Sequence, residues 1–152
     1  GGSLRTSGLF GAEGRNFFTT MRRLARERRE LEIVNDQVVG PTLATDLARA
    51  IFVISRRLHA GTGEFGTYHF GSGPPITWAQ FAEDIFASYL PPSTRPRVNR
   101  ISSEMYGAPA KRPTYSALDS RKIAQSYHLV PKDWRDGLHA IATDKARTYR
   151  AA

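Results

Sequence analysis

GLFGAEGRNFFTTMRRLARERRELEIVND, residues 8–36, holds the pattern on which the interpretation of the fold depends. Three glycines spaced as G-x-x-G-x-x-G precede a helical pattern, a short apolar run and Asp36. That order, with an acid about 20 residues beyond the glycines, is typical of a dinucleotide-binding unit. The buried strand that leads into such a loop is nearly all apolar, whereas GGSLRTS ahead of the glycines has Leu4 as its one large apolar side chain. The sequence therefore favours a coincidental glycine spacing over a cofactor loop.

The composition is typical of a single globular domain. The chain has 152 residues, of which 40% are hydrophobic and 24% charged, and a domain of this size buries roughly 68–70% of its unfolded surface. No apolar run approaches the ~18 residues of a membrane span, and the first residues lack the basic-then-apolar order of a signal peptide. Cysteine is absent, which excludes disulfides and thiolate metal sites. We expect a cytoplasmic protein with no membrane contact.

The formal net charge of +8 indicates an anionic partner. Much of it comes from the segment MRRLARERRE, residues 21–30, which contains five arginines. Phe17, Met21, Leu24 and Leu31 recur at helical spacing, which predicts an apolar stripe with a solvated basic face. A basic nucleic-acid-binding domain and a non-catalytic regulatory domain both stay open. Nucleic acid is the less favoured partner, because the aromatic residues are predicted to face the core and not to lie among the arginines.

Helical and strand patterns alternate along the chain. Thr42 or Thr45 is predicted to cap the second helix, whose inward face includes Ile51, and Thr77 to begin the third. Residues 103–116 are predicted to be a loop. The sequence therefore predicts an α/β fold, mostly helices with a few short strands. The predicted helices cover residues 15–30, 43–60, 77–90, 119–127 and 133–149, and the predicted strands cover residues 30–34, 66–72 and 95–102.

Catalytic patterns are sparse. The four histidines show no i, i+4 pairing with carboxylates of the kind that binds zinc, so no metal site is predicted. The GSG at residues 71–73 lacks the G-x-S-x-G spacing of a nucleophilic serine. None of the six tyrosines is followed four positions later by lysine. These patterns assign no catalytic residue.

Five segments nevertheless occur in the order found in one reductase family. Together they resemble the dTDP-4-dehydrorhamnose reductases, a subfamily of the extended short-chain dehydrogenases/reductases, over nearly the whole chain. The resemblance implies the C-terminal portion of a Rossmann-type extended short-chain dehydrogenase/reductase, in which residues 1–14 end the cofactor domain and residues 15–152 form the dTDP-sugar-binding portion. The segments are RTSGLFG (5–11), GRNFFTTMRRLARERRELEIVNDQVVGPT (14–42), YHF (68–70) with TWAQFAEDIF (77–86), PAKRPTYSALDS (109–120) and DWRDGL (133–138).

The resemblance also assigns residues by motif position. A sugar nucleotide carries a doubly charged pyrophosphate, which amide donors and a guanidinium suit. Family members usually have Trp where this chain has Gly8, so the sugar contact expected there is altered. The implied substrate-binding residues are Asn16, Phe17, Gln37, Thr42 and Arg112, with Arg112 facing phosphate, and the implied cofactor-binding residues are Thr6 and Ser7, at the nicotinamide edge of NADPH or NADH.

The implied reaction is reduction of the 4-keto group of dTDP-4-dehydro-L-rhamnose to give dTDP-L-rhamnose. In such reductases a tyrosine gives its proton to the carbonyl oxygen as hydride arrives, and a lysine lowers the pKa of that tyrosine. Neither the Tyr-x-x-x-Lys pair nor the N-terminal glycine loop occurs in these residues. We therefore expect the chain to be inactive alone and to need an N-terminal cofactor half as its partner. The resemblance also admits Mg²⁺ as a cofactor and a homodimer as the assembly.

Overall fold

The computed structural model describes residues 1–107 and 113–151, and side chains only as far as residue 143. Helices predominate over short strands, which confirms the predicted α/β fold. None of the described helices is both long and apolar enough to cross a membrane. The elements are β1 Ser3–Thr6, β2 Leu9–Phe10, α1 Phe17–Glu27, β3 Glu30–Val34, β4 Val38–Val39, β5 Thr42–Leu43, α2 Ala44–His59, β6 Thr67–Phe70, β7 Ile76–Thr77, α3 Trp78–Tyr89, a 3-10 turn Pro92–Thr94, β8 Arg97–Ile101, α4 Ser103–Tyr106, α5 Arg121–Tyr127 and α6 Trp134–Ala151.

The strands associate in pairs. β1 lies parallel to β6, β2 to β5, and β3 to β8, whereas β4 and β7 are antiparallel. Parallel neighbours need a crossover connection, and the chain between the members of each parallel pair contains at least one α-helix. The β3–β8 pair extends from Glu30 opposite Arg97 to Val34 opposite Ile101. This pair forms the floor of the groove described below.

The larger of two buried clusters is centred on Phe81 of α3. The centroid of its ring lies 5.3 Å from those of Phe10 and Trp134 and 5.5 Å from that of Phe17, separations typical of favourable aromatic pairs. This cluster joins α1, α3 and α6 to β2 and β3. The smaller cluster lies where α2 and α5 meet β6, and its buried members are Ala50, Tyr68, Phe70, Ile123 and Tyr127.

Two helices begin with reciprocal side-chain caps. The Asn16 side chain accepts a hydrogen bond from the Thr19 N–H at 3.2 Å, and the Thr19 hydroxyl accepts one from the Asn16 N–H at 3.2 Å. Thr77 and Gln80 make the same exchange at α3, which confirms the predicted start of that helix. Such a capping box satisfies N–H groups that have no acceptor inside the helix. It explains why α1 begins at Phe17, after the predicted start.

The predicted cap of α2 was wrong. Leu43 occupies the cap position, with no side-chain hydrogen bond, because the Thr42 hydroxyl instead donates to the Gly40 carbonyl. Ile51 was predicted to face inward but is 48% exposed, since α2 packs on β6 through the narrower stripe around Ala50. Leu31, assigned to the stripe of the first helix, lies in β3, because α1 ends at Glu27.

The segment predicted to be a loop contains a short helix. In α4 the Ser102 hydroxyl accepts a hydrogen bond from the Met105 N–H at 3.1 Å. Gly107 ends the helix with a left-handed φ of 70°, a conformation that glycine adopts without steric cost. Further along, Tyr115 forms a parallel bridge with Val38. These contacts bring both ends of residues 103–116 close to the turn that follows β3.

Candidate functional site

A groove of about 920 Å³ runs between α1 and β3, within the size range of small-molecule sites. Trp78 at the start of α3 lines it at one side, and Ser103 and Tyr106 of α4 line it at another. We call it the α1–β3 groove. Its other lining residues are Phe17, Thr20, Met21 and Leu24 of α1, Arg28, Glu30, Leu31, Glu32, Ile33 and Val34 along β3, Gln37, and Asn99 of β8.

The turn NDQVVGPT, residues 35–42, is fixed at one end of this groove. The Thr77 hydroxyl donates to the Asn35 side-chain oxygen at 2.7 Å. The Val38 N–H donates to the Thr114 carbonyl, and the Val38 carbonyl accepts from the Ser116 N–H, both at 2.8 Å. A Cβ atom at Gly40 would lie 2.4 Å from the Ser72 carbonyl oxygen. The Asn35 side chain and the close approach at Gly40 need these residue types, whereas the two Val38 hydrogen bonds are backbone contacts that hold the turn against residues 114–116.

Gln37 is the predicted substrate-binding residue of that turn, and its side chain lines the groove. Its neighbours Asn35, Asp36 and Val38 are tied to other elements, whereas no hydrogen bond to the Gln37 side chain occurs within the described part of the chain. An amide held on a fixed backbone presents both donors and an acceptor. The geometry leaves the Gln37 amide available to a ligand.

Phe17 and Asn16 lie where α1 begins. Phe17 lines the groove, and its ring packs against Trp78, with centroids 4.7 Å apart. The Asn16 side chain caps α1, and its amide nitrogen donates to the Glu13 carbonyl at 3.0 Å. The first turn of α1 contains no acidic residue, so its N–H groups and the positive end of the helix dipole can attract an anion.

Thr42, Thr6 and Ser7 lie elsewhere. Thr42 is fully buried, and its hydroxyl accepts a hydrogen bond from the Ser72 N–H at 3.1 Å. The Thr6 hydroxyl donates to the Phe70 carbonyl at 2.8 Å, across the β1–β6 pair. The Ser7 hydroxyl is buried and has no hydrogen-bond partner within the described ranges. The structure therefore brings Phe17 and Gln37 together in the groove, and the ligand contacts of all these residues stay predictions.

Two glycines of the triplet pack closely against neighbouring residues. A Cβ atom at Gly8 would lie 2.5 Å from Val39 Cγ2 and 3.1 Å from the Gly40 carbonyl oxygen, and one at Gly11 would lie 3.3 Å from the Ala44 Cβ. A phosphate-binding loop opens directly from its glycines into the following helix, whereas here β2 lies between Gly8 and Gly11. Close packing gives Gly8 and Gly11 a structural role, whereas a Cβ atom at Gly14 would meet nothing within 4 Å.

Asp36, the acid of the apparent dinucleotide motif, holds α4 in place. Each of its carboxylate oxygens lies 3.0 Å from the Ser103 N–H, and one of them also accepts from the Ser103 hydroxyl at 3.0 Å. The hydrogen bond from the Ser103 N–H lowers the pKa of Asp36 below its usual value. The carboxylate thus joins the turn after β3 to the helix that lines the groove.

Two expectations from the resemblance, a phosphate-facing arginine and an Mg²⁺ ion, have no counterpart among the described residues. Arg112, predicted to face phosphate, lies outside the described residues. Within residues 1–107 and 113–143, no group of three or more His, Asp or Glu side chains is arranged to hold a metal ion. The Mg²⁺ that the resemblance admits therefore has no assigned ligand in that part of the chain.

Sequence reasoning missed some of the groove. Trp78 was predicted to be a core residue, but it also lines the groove. Ser103 and Tyr106 were placed in a loop, although Ser102 followed by Gly107 at this short spacing matches a cap and a left-handed stop. That signal was available in the sequence, whereas the contact between α4 and Asp36, in the turn after β3, depends on tertiary structure.

The groove and the fold can be compared with those of known proteins. The chain is 40% identical over 142 residues to the dTDP-4-dehydrorhamnose reductase of Aggregatibacter actinomycetemcomitans. The matched residues are 91% of this chain and 48% of that protein. It is 35% identical over 147 residues to the same reductase of Escherichia coli strain K12, covering 92% of this chain and 48% of that protein. The chain thus spans about half the length of these relatives.

Solved structures of similar proteins superimpose on the chain over about half of their own length. The dTDP-4-dehydrorhamnose reductase of Bacillus anthracis, in complex with NADP, superimposes with a TM-score of 0.79 at 33% identity, over 93% of this chain and 47% of that one. A UDP-glucose-4-epimerase from Stenotrophomonas maltophila superimposes with a TM-score of 0.72 at 13% identity, over 98% of this chain and 48% of that one, and shows the shared fold. The sequence model of one family, the RmlD substrate binding domain, matches residues 3–147. The chain therefore belongs to the RmlD substrate binding domain family.

Proposed function

We propose that this chain is the substrate-binding part of an NAD(P)H-dependent dTDP-4-dehydrorhamnose reductase, which reduces the 4-keto group of dTDP-4-dehydro-L-rhamnose. The observation that carries the proposal is the α1–β3 groove, whose lining contains both Phe17 and Gln37. Their roles as nucleotide contacts were predicted from motif position, and the groove has the size that a sugar nucleotide requires. The homodimer and the cytoplasmic location remain predictions.

The pyrophosphate is proposed to lie at the N-terminus of α1. Asn16 fixes the first turn there, and no carboxylate of that turn opposes an anion. Helix N-termini bind phosphate through free N–H groups and the helix dipole. Arg112 is proposed to supply a guanidinium to the same phosphates, since a planar fork of donors matches their oxygens.

The thymine ring is proposed to stack on the aromatic side of the groove. Phe17 and Trp78 both line the groove with their ring centroids 4.7 Å apart, and the Gln37 amide suits the alternating donors and acceptors of a pyrimidine edge. Glu30 and Glu32 line the groove along β3. Carboxylates repel phosphate but accept hydrogen bonds from hydroxyls, so the β3 side of the groove suits the ribose or the sugar.

Ser7 is proposed to contact the cofactor. Its buried hydroxyl has no partner within the described ranges, and an unsatisfied buried polar group costs free energy unless a ligand supplies the missing bond. The nicotinamide, when bound, supplies the hydride. Thr6 is proposed to hold β1 against β6, and Thr42 to position the Ser72 backbone. The N-terminal cofactor part is the proposed partner.

Calorimetric titration of thymidine diphosphate into the chain tests the proposal. Phe17→Ala should weaken binding roughly tenfold or more, because base–aromatic stacking contributes about 1–3 kcal/mol. Gln37→Ala removes an amide without touching the core and should weaken binding about two- to tenfold. Phe65→Ala is the matched control, since Phe65 is 71% exposed and does not line the groove. Equal affinity in all three variants and the unmodified chain would remove the groove as the nucleotide site.

A turnover assay tests whether catalysis depends on the proposed N-terminal cofactor part. With NADPH and dTDP-4-dehydrorhamnose, the chain alone is expected to show no NADPH oxidation above background, because it lacks the Tyr-x-x-x-Lys pair. A rate of about 1 per second, ordinary for enzymes, would contradict the assignment of catalysis to another part of the protein.

A further inference from the structure

A second concave site lies at the other end of α1. It has a volume of about 520 Å³ and lies between the end of α1 and the start of β8. The Arg97 N–H donates to the Arg29 carbonyl at 2.8 Å, which fixes the two segments side by side. We call it the arginine cavity. Its polar and charged lining residues are Arg26, Glu27, Arg28, Arg29, Ser93, Thr94 and Arg95.

The guanidinium groups of this cavity are not neutralised within the described chain. Its four arginines are exposed, and none is among the ion pairs of the described residues. Glu27, its acidic lining residue, is paired with Arg23 at 3.3 Å. Arg95 donates from Nε to the Leu90 carbonyl at 2.9 Å, which leaves its two terminal nitrogens for another acceptor.

Compensation of the helix dipole does not account for the whole cluster. The C-terminus of α1 carries partial negative charge that favours nearby cations, and Arg26 in the last turn meets that need. Arg29 lies beyond the end of α1, and Arg95 comes from a separate segment after the 3-10 turn. Gathering like charges from two segments is unfavourable without a counter-charge. The cluster therefore favours an anion.

The volume of the cavity and the distribution of positive charge around it indicate the kind of anion. The cavity has the volume of a small-molecule site. The neighbouring arginines of α1 are engaged elsewhere, Arg22 over the Phe18 ring at 5.8 Å and Arg23 with Glu27. The available positive charge is thus compact, and it is not extended along the helix. Guanidinium forks and hydroxyls together suit phosphate oxygens.

We propose that the arginine cavity binds a small polyphosphate-bearing molecule at a site distinct from the α1–β3 groove. Arg28 lines both the cavity and the groove, whereas Arg29 and Arg95 line the cavity and not the groove. This proposal does not depend on the function proposed above, because it rests on Arg29 and Arg95.

Titration of inorganic tripolyphosphate into the full chain tests this proposal. The double variant Arg29→Gln/Arg95→Gln should bind at least tenfold more weakly, as expected from the loss of two charge-assisted contacts. Arg5→Gln/Arg56→Gln is the charge-matched control, because Arg5 and Arg56 are exposed and lie outside the cavity, and its affinity should change less than twofold. Thermal unfolding of each variant verifies that these exposed substitutions leave the fold intact.

Further titrations separate this site from the groove. The double variant should bind thymidine diphosphate with unchanged affinity, and Phe17→Ala should leave tripolyphosphate affinity unchanged. Equal tripolyphosphate affinity in the double variant and the control would overturn the proposal. So would a short DNA duplex that binds more tightly than tripolyphosphate and is weakened as much by Arg23→Gln as by the double variant, since that result describes an extended nucleic-acid surface.

Discussion

Gly8→Ala should destabilise the protein more than Gly14→Ala, because at Gly8 a steric clash adds to the cost of the left-handed backbone. Gly8 has a φ of +56°, and a side chain in that left-handed region costs roughly 1–2 kcal/mol. The new Cβ would also lie 2.5 Å from Val39 Cγ2 and 3.1 Å from Pro41 Cα. Overpacking of this kind adds about 1–3 kcal/mol, because the contacts include backbone that cannot rotate away.

The total cost is about 2–5 kcal/mol, a large share of the ~5–15 kcal/mol that stabilises a typical domain. Gly14→Ala is the matched control, since Gly14 also has a positive φ, +80°, but a Cβ there meets nothing within 4 Å. It should cost only the ~1–2 kcal/mol of backbone strain. At about 2–4 °C per kcal/mol for a chain of this size, thermal unfolding followed by circular dichroism resolves the difference. Equal losses in the two variants would refute the packing argument, and with it the structural role assigned to the first glycine.

Two further predictions concern the core and the turn. Trp134→Phe keeps an aromatic ring against Phe81 but removes the indole N–H that donates to the Pro74 carbonyl at 2.7 Å; urea unfolding should show a loss of about 1–3 kcal/mol, and an unchanged free energy would show that the bond is not needed. Asp36 has a lowered folded-state pKa because of the Ser103 N–H, so its contribution to stability is present above the unfolded pKa and disappears as pH falls through the lower folded value. An NMR titration of the Asp36 carboxyl that gives an ordinary pKa would contradict that hydrogen bond.

Much of the fold was predictable because local signals and tertiary structure agree. Thr77 caps α3, as its position before an apolar periodic run indicates. The alternating pattern of residues 30–34 became β3, with Leu31 and Ile33 buried. Where packing partners decide the outcome, the sequence was less informative: Ile51 fits the helical stripe, but it is 48% exposed and lies outside the cluster that α2 forms with β6 and α5.

The candidate site was likewise predictable only in part. The family resemblance assigned both Phe17 and Gln37 to nucleotide binding, and both line the α1–β3 groove. The role of Thr42 was harder to predict, since a buried threonine hydroxyl bound to the Ser72 N–H and an exposed one facing a ligand look alike in sequence. The contribution of α4 depends on Asp36 reaching Ser103 across 67 positions of chain, which no local pattern contains.

The central claim is that the α1–β3 groove binds the nucleotide of a dTDP-sugar. Its most direct test is an amide ¹H–¹⁵N NMR titration of the chain with thymidine diphosphate. The account predicts saturable shifts at Phe17, Thr20 and Gln37, which line the groove, and none at Tyr68, which lies in the smaller cluster. Saturable shifts confined to residues outside the groove, or no shifts at millimolar ligand, would contradict the claim.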